Sequence, residues 1–360
     1  MKSVKLKILF ALLLAGLFSA CIKTPPIQPV ATAATTKLYA WTDFAMGADI
    51  SFSYQLQDDG AVYKDSNKIT DPFIIFKNQG TNTVRVRLWH NPQWLAPFNA
   101  GKLYNDLNDV TKTIQRAKAA GMAVNLDIHY SDTWADPANQ TTPAAWMRLG
   151  LTDLKDSLYN YTFAVLTNLK NNNCTPEMIQ IGNETNQGIP WTLGKVVNND
   201  YSAFAAVLNS GIKAVRDFSA NSNVKRQIIL HVAGLENAGY FTTQLIAAGV
   251  TDFDIIGVSH YSQRSTINDM AGIKNSIASL KSGFGKNVMI VETAYPFTTA
   301  FADNYTNIID AATAVVPGYT ITHDGQYKYM KDLTQAVISG GGKGVMYWAP
   351  DWISCNYRDQ

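Results

Sequence analysis

Cysteine is almost missing from this 360-residue chain: only Cys21, Cys174 and Cys355 occur. Three cysteines are no disulfide framework. A single bridge between Cys174 and Cys355 is all that composition leaves open, so an apolar core must hold the fold. Charge is also sparse, at 16% of residues, and the formal net charge is +2. Lys2, Lys5 and Lys7 lie in the first 21 residues with no acid beside them, so the remainder carries −1. A nearly neutral body has no electrostatic footprint for nucleic acid, and none is expected as a partner. No G-x-G-x-x-G turn follows the first strand-like run, which weighs against a doubly wound nucleotide-binding sheet. What the chain does have is 46% hydrophobic residues, enough for a large buried core and too many for disorder.

The one long apolar run is at the start. MKSVKLKILFALLLAGLFSAC has a lysine-bearing head, an apolar stretch over residues 8–18 and small residues leading into Cys21. That stretch is too short to span a bilayer. The segment resembles a bacterial lipoprotein signal over residues 1–21, in which Cys21 becomes the lipidated first residue. Residues 22–40 are rich in Pro, Thr and Ala and read as a flexible tether, which leaves 41–360 as the folded domain. The expected location is the bacterial cell envelope, with the protein, expected to be a monomer, held to a membrane through its lipid.

From residue 44 onward, short β-branched runs alternate with segments of helical period. The runs at 44–51, 83–89, 123–130, 177–183, 227–234, 253–261, 287–295 and 344–350 make eight candidate strands. Helical patterns occupy 106–121, 156–172, 202–218, 267–283 and 326–341. Eight doubly buried strands separated by helices predict an α/β fold, a (β/α)8 TIM barrel. Only ten residues follow Pro350, so a regular eighth helix is not expected after the last strand.

In such a barrel, chemistry sits at the carboxyl ends of the strands. Read in order, those ends carry Asp49; Arg85 and Arg87; Asp127, His129 and Tyr130; Asn183 and Glu184; His231; His260 and Tyr261; Glu292 and Tyr295; and Trp348. Any one of them alone is more often structural. Their convergence on one mouth is the signal, because each buried polar group costs free energy unless it is satisfied. Glu184 and Glu292 are the carboxylates ending strands four and seven, and two facing carboxylates suit glycoside hydrolysis. Asn183-Glu184-Thr185 also matches a glycosylation sequon, but inside a barrel mouth Asn183 would not be an exposed acceptor.

The segments GADISFSYQLQDDG, VRVRLWHNPQ, AKAAGMAVNLDIHYSDTWADPANQTTPAAW, MIQIGNETNQGIPW, FDIIGVSHY, VMIVETAYPF and GVMYWAPDW run in order from about residue 44 to 352. Together they resemble the endo-β-1,4-galactanases of glycoside hydrolase family 53, in clan A. The resemblance implies a retaining enzyme that cleaves internal β-1,4-galactosidic bonds of galactan or type I arabinogalactan. Glu184 would be its acid/base and Glu292 its nucleophile. Arg87 would support the nucleophile, although period two sends Arg85 to the same face and leaves the choice open. Asn183 would bind the sugar hydroxyl next to the reacting carbon, His129 and Tyr261 would line the central subsite, and Trp348 would form its floor. Asp132, Trp134 and Trp191 read as cleft-wall residues.

Two departures stand out: Ala349 replaces an acidic residue after Trp348, and His260 stands where a tyrosine is more usual. No cofactor is expected. The long loop after strand seven, which binds calcium in some members, contains Asp303, Asn304 and Asp310 here without assignable ligand spacing. The alternatives are another clan A endo-glycosidase, of mannanase or xylanase type, and a non-catalytic glycan-binding lipoprotein.

Overall fold

The computed structural model describes residues 44–220, 222, 225–310 and 315–356. The signal, tether and Cys21 expectations lie outside these residues. Eight strands form one closed parallel barrel: β1 (Ala45–Asp49), β2 (Thr83–Leu88), β3 (Ala123–Ile128), β4 (Met178–Ile181), β5 (Gln227–Ala233), β6 (Ile255–Ser259), β7 (Asn287–Thr293) and β8 (Gly344–Trp348). All eight expected strands are present and the TIM barrel is confirmed. Closure is made by β8 on β1, in register from Ala45 against Gly344 to Asp49 against Trp348. No helix follows β8 among the described residues. None of the described helices is long and apolar enough to cross a membrane.

Helices α1 (Ser53–Asp58), α2 (Pro72–Asn78), α3 (Leu107–Ala119), α4 (Leu151–Asn171), α5 (Ser202–Ser219), α6 (Leu235–Ala247), α7 (Met270–Phe284) and α8 (His323–Ser339) occupy the connections. Helix starts follow local chemistry: Asp106, Asp269 and Thr322 each accept an N–H from the first turn they cap. Three of these helices were not anticipated. α1 and α2 are only two turns or less. α6 begins directly after Gly234, with no polar spacer to separate it from β5, so its pattern merges with the strand before it.

Strand alternation sorts the side chains into two cores. Val84, Val86, Leu88, Val124, Leu126 and Ile128 face outward, against helix residues such as Val110, Ile114, Leu158 and Leu166. Inside, the floor of the barrel is a separate apolar plug of Ala45, Met178, Ile229, Ile255, Met289, Val291 and Met346. Burying a side chain of this size stabilises by roughly 1.5–3 kcal/mol. Gly257 makes room for the plug, since a Cβ there would lie 2.5 Å from Ile229 Cγ2. Above the plug the interior turns polar.

The ring is not regular throughout. Pairing of β6 with β7 slips between Val258 and Ser259, so Ser259 stands opposite Glu292 rather than Val291. Val291 already points inward, into the plug. Strict alternation would turn the next residue outward, and the bulge instead brings Glu292 into the mouth.

Cys174 is a buried free thiol, so the bridge to Cys355 that composition left open is not formed. Near the end of the chain, Asp351 is 1% exposed and receives the Ser53 hydroxyl at 2.7 Å. Its other carboxyl oxygen has no hydrogen-bond partner. Burial pushes this group up to about 7. A carboxyl raised from 3.8 in the unfolded chain stabilises the fold only while protonated, so its contribution is present at low pH and lost between about pH 4 and 7. Asp351→Asn should match the parent near pH 4 and gain on it as pH rises toward 8. The upper bound is on the order of 4 kcal/mol, from about 3 pKa units. Thermal melts across that range check the sign, and a gap that shrinks with rising pH contradicts it.

Candidate active site

The polar layer is organised by Arg85, which is 2% exposed and has all five guanidinium N–H groups placed. Nη1 donates to Asp49 at 2.8 Å and to Glu292 at 3.0 Å. Nη2 donates to Asp127 at 2.8 Å and to Asn183 at 2.7 Å, and Nε points to Gln180 Oε1 at 3.4 Å. One cation thus faces three carboxylates from β1, β3 and β7. Burial works to raise Asp127, but the positive charge of Arg85 and the His129 ring hydrogen bond hold it below the usual carboxylate range.

The choice between the two arginines is therefore made by geometry. Arg87 lies one step nearer the rim, with its guanidinium carbon 4.0–4.6 Å from the ring centroids of Trp134, Phe52 and Trp89. The expectation that Arg87 meets Glu292 is corrected to Arg85. Alternation alone could not separate them, because both side chains point inward from β2.

Glu292 is held at both oxygens: Oε2 by Arg85, and Oε1 by the Tyr261 hydroxyl at 2.9 Å. Burial and Glu292 together push the Tyr261 phenol well above its ordinary value, so it remains a donor. Burial raises Glu292 too, while Arg85 and Tyr261 pull it back.

Glu184 is placed by its main chain. β4 ends at Ile181, shorter than expected, because Gly182 has φ +83° and Glu184 φ +47°. A left-handed glutamate is uncommon and costs free energy unless its neighbours hold it. Its N–H donates to His231 Nδ1 at 3.1 Å, and its C=O accepts from Gln140 Nε2 at 3.3 Å. Burial first, and the charge of Glu292 second, push Glu184 up to about 8. Of the two carboxyls Glu292 has the two strong donors, so it ionises first and Glu184 holds the shared proton. Oxygens of Glu184 and Glu292 lie within 4.8 Å of one another.

His231 lies within the same distance, and this trio is the one such grouping of three metal-type ligands among the described residues. Its chemistry argues against an ion. His231 Nδ1 faces the Gln180 amide at 2.9 Å as well as the Glu184 N–H, and Nε2 faces the Ser259 hydroxyl at 2.9 Å. The Nδ1 lone pair is taken by these donors and Nε2 carries the proton, which leaves no lone pair for a metal. In the loop after β7, Asp303 already accepts from the Tyr305 N–H and the Ser354 hydroxyl.

Other expected residues divide into four groups. Asn183 is in the mouth: Oδ1 accepts from Arg85, and Nδ2 donates to Ala135 C=O at 2.8 Å. Trp348 and Trp134 are partly buried and share a pedestal. Trp348 meets Trp352 edge-on at 5.0 Å, Trp352 packs on Phe52 at 4.9 Å, and Phe52 packs on Trp134 at 5.9 Å. Ala349, where an acid was expected, is buried in the same cluster.

His129 and Asp132 support rather than line the mouth. His129 is 2% exposed, receives the Trp89 indole N–H at 3.3 Å and contacts Asp127 at 3.1 Å, so it braces Asp127. Asp132 pairs with His90 and accepts the Ala144 N–H at 2.8 Å, which folds the loop after β3. Trp191 braces that loop too, its N–H donating to Gln140 C=O at 2.8 Å. Tyr130, His260 and Tyr295 turn away from the mouth. Tyr130 bonds Thr162 of α4, Tyr295 reaches Tyr319 C=O, and His260 contacts Ser262, which is bonded to Tyr329 of α8. His260 is therefore no subsite residue. The strand-end list gave no role to Gln180, and Gln140 and Ser259 escaped it. Only Gln180, a lone amide inside an apolar strand, carried a signal.

The coupling between the two carboxyls gives a measurable consequence. In Glu292→Gln the neighbouring negative charge is gone, so Glu184 should titrate below its parent value of about 8. Burial still keeps it above the ordinary 4.5. Carbon-13 NMR of the glutamate carboxyl signals reads this directly, and an unchanged or higher pKa contradicts the pairing.

Residues 45–359 match the family model described as glycosyl hydrolase family 53. The chain is 41% identical over 332 residues to an arabinogalactan endo-β-1,4-galactanase of Cellvibrio japonicus, covering 91% of this chain and 86% of that protein. It superposes on the family 53 catalytic domain of Ignisphaera aggregans with TM-score 0.78 at 33% identity, covering 88% of each chain. A fungal β-1,4-galactanase structure gives TM-score 0.73 at 31% identity, over 85% of this chain and 89% of that one. A strand-end glutamate pair on a closed barrel, matched over nearly the whole described length, places the chain in glycosyl hydrolase family 53.

Proposed function

We propose that this glycosyl hydrolase is an endo-β-1,4-galactanase acting on galactan and type I arabinogalactan with retention, with Glu292 as nucleophile and Glu184 as acid/base. The single observation that supports the mechanism most is the approach of the two carboxyls within 4.8 Å. Retaining enzymes keep them about 5–5.5 Å apart, and inverting enzymes leave roughly 6.5–9.5 Å for a water.

In the first step Glu292 attacks the anomeric carbon and forms a galactosyl ester. The glycosidic C–O bond breaks as Glu184 gives its proton to the departing oxygen. In the second step the Glu184 carboxylate takes a proton from water, the oxygen of that water attacks the same carbon, and Glu292 leaves. Arg85 and Tyr261 keep the attacking carboxylate ionised and aimed. Asn183 uses one amide N–H on Ala135, and the other serves the sugar 2-hydroxyl. Trp348 supplies an apolar face for the pyranose ring, and Trp134 extends the wall. His129 and Asp132 act from behind, through Asp127 and the loop after β3.

The mannanase and xylanase readings have no observation in their favour. The glycan-binding reading is opposed by a complete carboxyl pair in which Glu292 alone is held by Arg85 and Tyr261. We further propose that Cys21 is lipidated and holds the domain to a membrane of the cell envelope through residues 22–40, with the polysaccharide as its substrate and the chain acting as a monomer.

Linear β-1,4-galactan incubated with the protein should give oligosaccharides whose first-formed reducing ends are β by proton NMR. Glu292→Gln should lower the rate by about 10³-fold or more. First products of α configuration, or an undiminished mutant, would sink the mechanism. For the anchor, Cys21→Ser should move the protein from the membrane fraction to the soluble one, and unchanged fractionation refutes lipidation at that residue.

A further inference from the structure

We propose that Gln140 is a positioning residue for the acid/base, a role that rests on the reading of Glu184 given above. Gln140 is 2% exposed and stands in the loop between β3 and α4. Its Nε2 donates to Asn183 C=O at 2.8 Å, to Glu184 C=O at 3.3 Å and to Asp136 C=O at 2.9 Å. Two amide hydrogens thus serve three carbonyls, two of which belong to the consecutive residues that aim at the substrate.

Those residues need the help. Glu184 has φ +47° and Gly182 has φ +83°, so the chain leaves β4 through a bend that a glutamate does not favour. A left-handed non-glycine residue costs about 1–3 kcal/mol and persists only when its surroundings hold both sides of the peptide. His231 holds the N–H side of Glu184, and Gln140 holds the carbonyl side. Without the amide, rotation of the 183–184 and 184–185 peptides toward ordinary backbone angles swings the carboxyl away from the leaving oxygen.

Gln140 also links the acid to the cleft wall. The same loop carries Trp134, and its Ala135 C=O accepts from Asn183 Nδ2 at 2.8 Å. Gln140 C=O in turn receives the Trp191 N–H at 2.8 Å. Loop and bend are therefore one unit, and the wall that meets the polysaccharide sets the position of the proton donor.

The test separates proton donation from general damage by varying the leaving group. A galactan chain departs as a poor alkoxide and needs the proton; a 2,4-dinitrophenyl β-galactobioside departs without it. For Gln140→Ala, Gln140→Met and Gln140→Glu, kcat/KM on galactan should fall about 10- to 100-fold, the effect of roughly 1 Å of misplacement. On the aryl substrate kcat/KM should stay within about threefold, because that bond breaks without general-acid assistance. The basic limb of the galactan pH profile should shift as well. Gln140→Glu should be the most severe, since it turns a carboxylate toward three carbonyl oxygens.

Glu184→Ala, run in parallel, should show the same split in larger form, with azide restoring aryl-substrate turnover. If Glu184→Ala shows no split, the acid/base reading itself fails. If it does and the Gln140 variants lose both activities equally, lose neither, or all fail to fold, the positioning role is overturned.

Discussion

The Arg85 guanidinium is the group on which the rest of the mouth depends, because it is the one cation set among three inward carboxylates. Its bonds to Asp49, Asp127 and Glu292 tie β1, β3 and β7 to β2, and a fourth to Asn183 ties the exit of β4. Removing one partner from a buried ion pair costs several kcal/mol, since the remaining charge is stranded. Here one removal would strand three. The hub is also what makes polar filling of the upper barrel tolerable: every N–H of Arg85 has an acceptor, and Gln180 bridges from its amide to Asp127 and His231.

Burial, and then the charge balance around that hub, account for the unequal tuning of the two glutamates. Three carboxylates share one guanidinium, and burial together with Arg85 keeps His231 well below its ordinary value and thus neutral. The layer is therefore negative overall. A fourth carboxyl beside it is driven to keep its proton, and Glu184 is that carboxyl, raised to about 8. Burial raises Glu292 as well, but the β7 bulge turns it onto Arg85 and Tyr261, which pull it back. A shift of one residue in that register would face it to the helix layer and leave the hub one acceptor short.

The barrel was legible in the sequence because its strands are apolar on both faces and bounded by polar turns. α6 was not, since it follows β5 without a spacer. The site was legible as a set of strand ends and less so as a set of directions. Period two correctly sent Arg85 and Arg87 to the same side and for that reason could not choose between them. It would also have turned Glu292 outward after Val291, so identifying Glu292 as reactive depended on its residue type and partner rather than on periodicity. His260 and Tyr295 show the opposite error, strand-end polar residues that belong to the helix layer. Gln140 left no trace in periodicity at all: its importance comes from a loop folding back on a bend, a contact 43 residues apart in sequence.

The two glutamates are held in different ways, and their chemistry requires it. A nucleophile must be ionised, so donors aimed at its carboxylate both orient it and favour the charged form. Arg85 and Tyr261 do this for Glu292. A proton donor cannot be oriented so, because any strong donor on its carboxyl would stabilise the ion and discharge the proton before the bond breaks. Apart from one neutral hydroxyl, that of Ser259, its direction has to come from the backbone. Glu184 meets that demand with a left-handed main chain gripped at the N–H by His231 and at the C=O by Gln140. His231 can serve because it is neutral and meets the peptide as an acceptor; a charged imidazole there would bring a cation beside Glu184 and pull its pKa down. The strain at residue 184 is thus the physical consequence of asking a carboxyl to be both rigid and reluctant to ionise.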